Sequence, residues 1–598
     1  MTYTPPIAEQ RFVLESIGRI DELSALPGFA AATPDLVDAV LTEAGKLAAG
    51  VIAPANAIAD REGARLVEGR VVLPAAFRTA YDAYAAGGWI GLNAAPEQGG
   101  QGLPFALACL VQEQVTSASM AFSLCPMLTL GAIEALQAHA SPAQKETYLR
   151  PLVEGRWTGT MNLTEPQAGS DVGALRTLAT PAGDGSWRLK GQKIYITWGD
   201  HELAENIVHL VLARTPGAPA GTRGISLFLA PKYLPNPDGT PGPRNDLKAV
   251  SLEHKLGIHA SPTCTMAFGD SDACVAFLVG EENAGMRAMF TMMNHARINV
   301  GVQGIAIAER AMQQALAHAR ERVQSARFGA PSREPVRIIE HADVRRMLMT
   351  GRALTEAARA IAMLNAAAVD RAHALADAAP RAEAQALADL LTPVTKAFAT
   401  DIGVEVANLA IQVFGGMGYV EETGVAQHLR DARIAPIYEG TNGIQALDLV
   451  GRKLPMEGGR PWRQLLQRER QFVAELPASG ELAQLRPWLE DALDALQTAS
   501  VWLGGNEGEK LADTAAAATP YLRMFGLTLG GTLLARQAAE AARRLEAGTG
   551  DAAFLKAKIA TARFYAEQLL PAAPALLGPI TRGAELLYAI PEAALAAA

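Results

Sequence analysis

Trp187-Arg-Leu-Lys-Gly-Gln-Lys-Ile-Tyr-Ile-Thr197 alternates apolar and polar residues, the period-two pattern of a half-buried strand. Ile207 to Arg214 and Gly224 to Leu229 are further short apolar or β-branched runs bounded by Gly and Pro. Several such runs predict a small all-β domain between about Thr158 and Val279. Outward from it the texture changes. Upstream, residues 35–155 read as helices separated by glycine-rich turns: Ala76 to Ala86 has helical spacing, Pro96 to Pro104 is a loop, and Ser141-Pro142 opens a helix with Pro in its first position. Downstream, helical period runs from Gly285 to Arg452, Pro455 to Pro461 reads as a linker, and the rest to Ala598 is again helical.

The expected organisation is therefore an N-terminal extension (1–34), a helical domain (35–157), a middle β domain (158–280), a helical bundle (281–454) and an additional helical domain (462–598). A chain of 598 residues is too long for one core. With 49% hydrophobic, 19% charged and only 6% aromatic residues, and alanine abundant, the fold class is mostly α with a central β domain.

The formal charge of -9, without a basic block, argues against nucleic-acid binding through phosphate neutralisation. The four cysteines show no C-x-x-C spacing, so neither a disulfide framework nor a structural zinc site is expected, and no metal is assigned. Met1 to Gln10 lacks the features of a signal peptide, and no uninterrupted apolar stretch approaches the roughly 20 residues that span a bilayer. A cytoplasmic location follows as an expectation, with no transmembrane segment and room for peripheral membrane contact.

Four runs could carry chemistry, and each has a bland alternative. Met161-Asn-Leu-Thr-Glu-Pro-Gln-Ala-Gly-Ser-Asp171 starts as a strand and becomes a turn whose hydroxyls and N–H groups could meet a heterocycle or phosphate; it is equally an ordinary Asx-rich turn. In Lys193-Ile-Tyr-Ile-Thr-Trp-Gly199, Tyr195 and Thr197 share a strand face, as stacking partner and hydrogen bonder or as plain core. Gln412-Val-Phe-Gly-Gly-Met-Gly418 lacks G-x-G-x-x-G and follows no strand, so its glycines serve either phosphate approach or a helix-ending turn. Ile437-Tyr-Glu-Gly-Thr-Asn-Gly-Ile-Gln445 places a carboxylate between an aromatic and a glycine just before a helix, as a general base or a solvated turn residue.

Taken in order, "LTEPQAGSD", "KIYITWGD", "EHKLGIHASPT", "QVFGGMGY" and "IYEGTNGIQ" resemble the acyl-CoA dehydrogenase family over about residues 35–452. With "DHELAENIVHLVLAR" and the appended helices, the chain looks like the large bacterial subgroup labelled 3-methylmercaptopropionyl-CoA dehydrogenase-like. The resemblance implies a helical N-domain, a β-barrel-like middle domain and a C-terminal four-helix bundle, with FAD between the last two and completed by a second subunit. It implies Glu439 as the base that takes the acyl α-proton while the β-hydrogen leaves as hydride to the flavin. It places Thr164 and Ser170 along the flavin and its phosphate side, Tyr195 where many relatives stack a tryptophan, and Thr197 at flavin N5. Gln412, Gly415, Gly416 and Thr441 would approach the cofactor from the bundle. Arg322 and Gln324 match an R-x-Q pattern that meets the neighbouring subunit's FAD, although Phe328-Gly329 is displaced from its usual place. Arg297 would orient the base and the CoA moiety, with Asn294 as its helix companion. Some relatives carry the base on that helix; the matching position here is Ala296, which cannot take a proton.

The implied function is FAD-dependent α,β-dehydrogenation of an acyl-CoA, medium- to long-chain favoured, in fatty acid β-oxidation, with electrons passed to an electron-transfer flavoprotein and a homodimer as the assembly. The alternatives are a 3-methylmercaptopropionyl-CoA dehydrogenase, an acyl-CoA oxidase, or a non-enzymatic DNA-binding relative. The charge-balanced C-terminal region speaks against the last.

Overall fold

The helix start expected at Ser141-Pro142 is present, with Pro142 in the first turn, and the structure adds a reciprocal cap: the Ser141 hydroxyl accepts from the Gln144 amide and the Gln144 side chain accepts from the Ser141 N–H. In the computed structural model, which describes residues 3–506 and 508–596, such local signals assemble into two units. The first comprises Met1–Pro5 and Ala31–Asn299, the second Pro6–Ala30 and Val300–Ala598.

In the first unit, helices Pro34–Leu47, Ala75–Ala86, Phe105–Ala118, Met120–His139 and Pro142–Val153 precede an eight-stranded sheet. Its strands are β1 (Trp157–Asn162), β2 (Leu178–Pro181), β3 (Trp187–Thr197), β4 (Asn206–Arg214), β5 (Ile225–Pro231), β6 (Leu247–Leu252), β7 (Thr263–Phe268) and β8 (Val275–Val279). The order is β6-β7-β3-β8-β5-β4-β1, antiparallel except for the β1–β4 pair. Strand β2 pairs with both β3 and β4, which curls the sheet back on itself as a barrel does. The interior holds Leu189, Ile196, Val211, Phe228, Cys264, Met266 and Phe268, all essentially inaccessible. Gly159 of β1 lies so close to Met120–His139 that a Cβ would stand 2.4 Å from that of Ala132.

The second unit is helical. Helix α1 (Gly285–Glu321) enters it at Val300, followed by α2 (Ala342–Ala374) and α3 (Ala378–Phe414). Glycines let α1 and α3 touch backbone to backbone: a Cβ on Gly304 would fall 2.2 Å from the Ala399 carbonyl oxygen, and one on Gly403 2.7 Å from the Gly304 Cα. Beyond them lie Arg460–Glu475, Arg486–Gly504, α4 (Leu511–Glu546) and α5 (Ala552–Gln568). The fold is thus mostly helical around one β domain, with an extra helical region at the C-terminal end.

Three observations go beyond the sequence reading. Residues 6–30 belong to the second unit rather than standing as an extension. Its helix Ile7–Val13 packs Phe12 edge-on to Phe554, with centroids 5.5 Å apart, and Glu9 meets the Lys558 ammonium at 2.8 Å. The supposed linker 455–461 is a tight turn in which Gly459 and Pro461 are buried, running straight into Arg460–Glu475. Among the described residues, two helices, Met120–His139 and Ala378–Tyr419, are long and apolar enough to cross a bilayer by length and composition, where the sequence reading expected none. Most of the apolar window of each is buried inside the protein.

Candidate active site

Glu439 follows the short helix Val425–Ala432 and precedes Asn442–Asp448, and it is half-buried. Its backbone is left-handed, φ +56°, and Gly440 follows at +85°. A non-glycine residue in that region costs on the order of 1–3 kcal/mol and persists only where its surroundings hold it. Here they do. Gln445 Nε2 reaches the Glu439 carbonyl at 3.4 Å and that of Gly440 at 3.2 Å. Lys396 Nζ, on α3, donates to the Gly440 carbonyl at 2.9 Å and to Asn442 Oδ1 at 2.8 Å. Thr441 caps the following helix, its hydroxyl accepting from Ile444 N–H at 3.3 Å. Tyr438 donates its hydroxyl to Gln303 of α1, and burial, reinforced by the neighbouring Glu439 charge, pushes the phenol up. The structure therefore shows a carboxylate on an over-determined loop.

The glycine turn lies in the same unit. Helix α3 ends at Phe414, which stacks on His318 with centroids 4.1 Å apart, and Gly415 turns the chain at φ +62°. Gln412, Gly415 and Gly416 are all exposed, and a Cβ on either glycine would meet nothing within 4 Å. Arg322 and Gln324 are exposed on a bridged segment, the guanidinium 3.2 Å from Gln324 Oε1, near a fully exposed Phe328.

In the first unit, the Tyr195 ring is 60% exposed. Residue 195 adopts φ +59° where β3 slips register against β7, a bulge. Period-two reading could not show it. The bulge turns an aromatic face outward while Ile196 stays in the core and Thr197, paired with Thr263, is half-buried. Thr164 is joined to this strand through its carbonyl, which accepts from Ile194 N–H, while Ser170 is exposed on the turn beyond. An unpacked aromatic plane with hydroxyls on the adjoining segments suits a flat heterocycle, so the residues present fit the implied cofactor. Asn294 is half-buried and Arg297 buried on α1, the Arg297 guanidinium 6.0 Å from the Phe290 ring centre.

The sequence reading missed the charge that fixes the first motif. Glu165 is buried with Lys193 Nζ at 2.8 Å, and also accepts from the Thr177 hydroxyl and from the Arg176 and Thr177 amides. Burial alone would raise this carboxyl, but Lys193 and these donors hold it at about 2. Burial pulls Lys193 down to about 8 despite Glu165, so the pair is doubly charged between about pH 2 and 8. The depressed carboxylate contributes stability that is full above its unfolded value of 4.5 and lost as pH falls towards 2. Urea midpoints measured from about pH 6 to about pH 3 are therefore expected to fall more steeply for the wild type than for Glu165→Gln. Equal slopes would deny the carboxylate this role. A Glu and a Lys inside two quoted motifs were the available signal.

Comparison with known proteins agrees along the whole chain. Family models match for the acyl-CoA dehydrogenase N-terminal domain at residues 38–156, middle domain at 160–271 and C-terminal domain at 283–454, and for the acetyl-CoA dehydrogenase C-terminal-like domain at 465–591. A 3-methylmercaptopropionyl-CoA dehydrogenase of Ruegeria pomeroyi is 48% identical, over 95% of this chain and 96% of its own. A butyryl-CoA dehydrogenase of Syntrophomonas wolfei is 37% identical over 90% of each. The fold matches that of a Bacillus anthracis acyl-CoA dehydrogenase complexed with FAD, with TM-score 0.73 and 20% identity over 92% of this chain and 89% of that one. The chain belongs to the acyl-CoA dehydrogenase family, flavoprotein oxidoreductases acting on CH–CH bonds.

Proposed function

We propose that this chain carries out FAD-dependent α,β-dehydrogenation of a linear acyl-CoA thioester, with Glu439 taking the α-proton. The observation that carries the reading is the held, left-handed Glu439–Gly440 pair within a family-matched motif. When bound, FAD supplies the acceptor for the β-hydride. Thr164, Ser170, Tyr195, Thr197, Gln412, Gly415, Gly416 and Thr441 would hold it, and Arg322 and Gln324 would meet the FAD of the neighbouring subunit. Arg297, with Asn294 as its helix companion, would orient the base and the CoA moiety. The Glu439 N–H is offered to the thioester oxygen, where one preorganised donor is commonly worth about 3–4 kcal/mol as enolate charge develops. Glu439 and Gly440, fixed by Lys396 and Gln445, then need little reorganisation when the proton moves.

The relatives named for 3-methylmercaptopropionyl-CoA and butyryl-CoA favour a short acyl chain, a thioether-bearing one included. A second reading keeps medium- to long-chain substrates, on the strength of the appended helical region, which the family resemblance associates with long-chain members. Electron-transfer flavoprotein is the proposed electron acceptor, in a cytoplasmic homodimer serving fatty acid β-oxidation.

The test is anaerobic titration of the purified protein with acyl-CoAs of graded length and with methylthiopropionyl-CoA while flavin absorbance is followed. Bleaching by short or thioether thioesters supports the first reading, and bleaching only by longer chains the second. A bound flavin that none of them bleaches overturns both. Peroxide release during aerobic turnover would mark an oxidase.

A further inference from the structure

We infer that Lys396 is a positioning residue for the base, acting through the Gly440 carbonyl and the Asn442 side chain to set the conformation of the Glu439 loop. The inference rests on the reading of Glu439 as the base.

Lys396 is fully buried on α3, 44 residues in sequence from Gly440, and its ammonium donates to the loop at the Gly440 carbonyl and at Asn442 Oδ1. Burying an ammonium is expensive unless it is well paired. A neutral residue could have filled the same space, so the charge calls for a reason. Its two acceptors bracket Thr441. One is the carbonyl of the residue immediately after the base, the other the side chain that opens the next helix.

Asn442 is held in turn. Its Nδ2 lies 3.0 Å from Thr400 Oγ1, 2.7 Å from Asp401 Oδ1 and 3.2 Å from the Ala397 carbonyl. Its N–H donates to the Pro436 carbonyl at 2.9 Å, closing the loop from Pro436 to Asn442 on itself. Every group in this network except the loop's own lies on one turn and a half of α3, between Lys396 and Asp401. Helix α3 is itself clamped against α1 by the glycine contact at Gly304. The loop is thus fastened to a helix that meets α1 backbone to backbone.

The need for such fastening is local. Glu439 and Gly440 are successive residues with positive φ, and an L-residue there drifts towards ordinary backbone regions unless held. Rotation at either residue swings the Glu439 carboxylate and N–H away together. A misplacement of about 1 Å at a reacting group costs roughly 10²-fold in rate.

The test compares Lys396→Met, nearly equal in length and without donors, with wild type as flavin-loaded holoenzymes. Two quantities are measured: the rate of acyl-CoA-driven flavin bleaching, and the dissociation constant of an S-alkyl-CoA thioether, which has no carbonyl to react. The bleaching rate is expected to fall about 10²-fold while the dissociation constant stays within about threefold. In a Glu439→Gln background the same substitution is expected to change the residual rate little, since the base it positions is already gone. Asn442→Ala, which removes the lysine's second acceptor at a half-buried site, should show the same split with a smaller loss.

A wild-type bleaching rate in Lys396→Met and in Asn442→Ala would overturn the inference. So would rate and affinity falling together, or a full additional loss in the Glu439→Gln background. Failure of both variants to yield folded, flavin-bearing protein would assign the network to stability and overturn it as well. If Glu439→Gln itself bleaches at the wild-type rate, the assignment of the base falls and this inference with it. An inactive Glu439→Gln beside an unaffected Lys396→Met would remove this inference alone.

Discussion

Glu439→Gln is expected to keep FAD and to slow substrate-driven bleaching by about 10²–10⁴-fold, the range a positioned general base contributes. Gln keeps the shape and the backbone N–H of the residue but accepts no proton. The adjoining Tyr438 cannot substitute: its hydroxyl is engaged with Gln303, and burial holds the proton on it. The helix position where some relatives carry the base is Ala296. The contacts made through the carbonyls of Glu439 and Gly440 and through Asn442 involve backbone or neighbouring groups that the change leaves in place. Stopped-flow absorbance under anaerobic conditions reads the rate. Bleaching within a few-fold of wild type would remove Glu439 as the base.

Lys558→Met is expected to destabilise the second unit by about 3–5 kcal/mol, the usual cost of stripping one partner from a buried charge cluster. The Lys558 ammonium lies 2.8 Å from Glu9 and 2.7 Å from Glu356, and all three are nearly inaccessible. Burial and the facing Glu356 raise the Glu9 carboxyl to about 7, while Lys558 and Arg352 outweigh burial and hold Glu356 low. Glu9 thus keeps a proton in the native state that the unfolded chain releases near 4.5, so its contribution declines as pH rises from about 4.5 to 7. With the ammonium gone, two carboxylates face each other, and part of the lost stability should return on acidification or on adding Glu9→Gln. Urea unfolding followed by far-UV dichroism measures both. A midpoint shift worth under about 1 kcal/mol would show that the cluster relaxes or hydrates instead.

Much of the architecture was legible because it is written locally. The alternation in 187–197 marks a strand, alanine-rich stretches mark helices, and Ser141-Pro142 marks a helix start. Contacts made at long range were not legible. Nothing around Ile7–Val13 says that its partners are Phe554 and Lys558, so that segment read as an extension. The Pro and Gly residues of 455–461 read as a linker because composition reports turn propensity and not burial. At the site, Glu439 and its neighbours stood out as a string, whereas Lys396, which holds them, lies in another helix where one buried lysine looks like any other. The bulge at Tyr195 escaped because it puts a tyrosine, not a glycine, at positive φ.

Glu9 and Lys558 stand 549 residues apart in the chain, and this separation orders events during synthesis. At about 5–20 residues per second, helix Ile7–Val13 waits roughly half a minute to two minutes on the ribosome before its partner exists. Met1–Pro5 and Ala31–Asn299, the whole of the first unit, are meanwhile available to fold. Helix Ile7–Val13 can meet α2, through Arg359 and Glu9, before α5 exists, but its Phe12 ring gains Phe554 only once α5 has emerged. A chain interrupted before residue 554 leaves the Phe12 ring without Phe554 and Glu9 without the Lys558 ammonium, so this seam closes only when synthesis of α5 is complete.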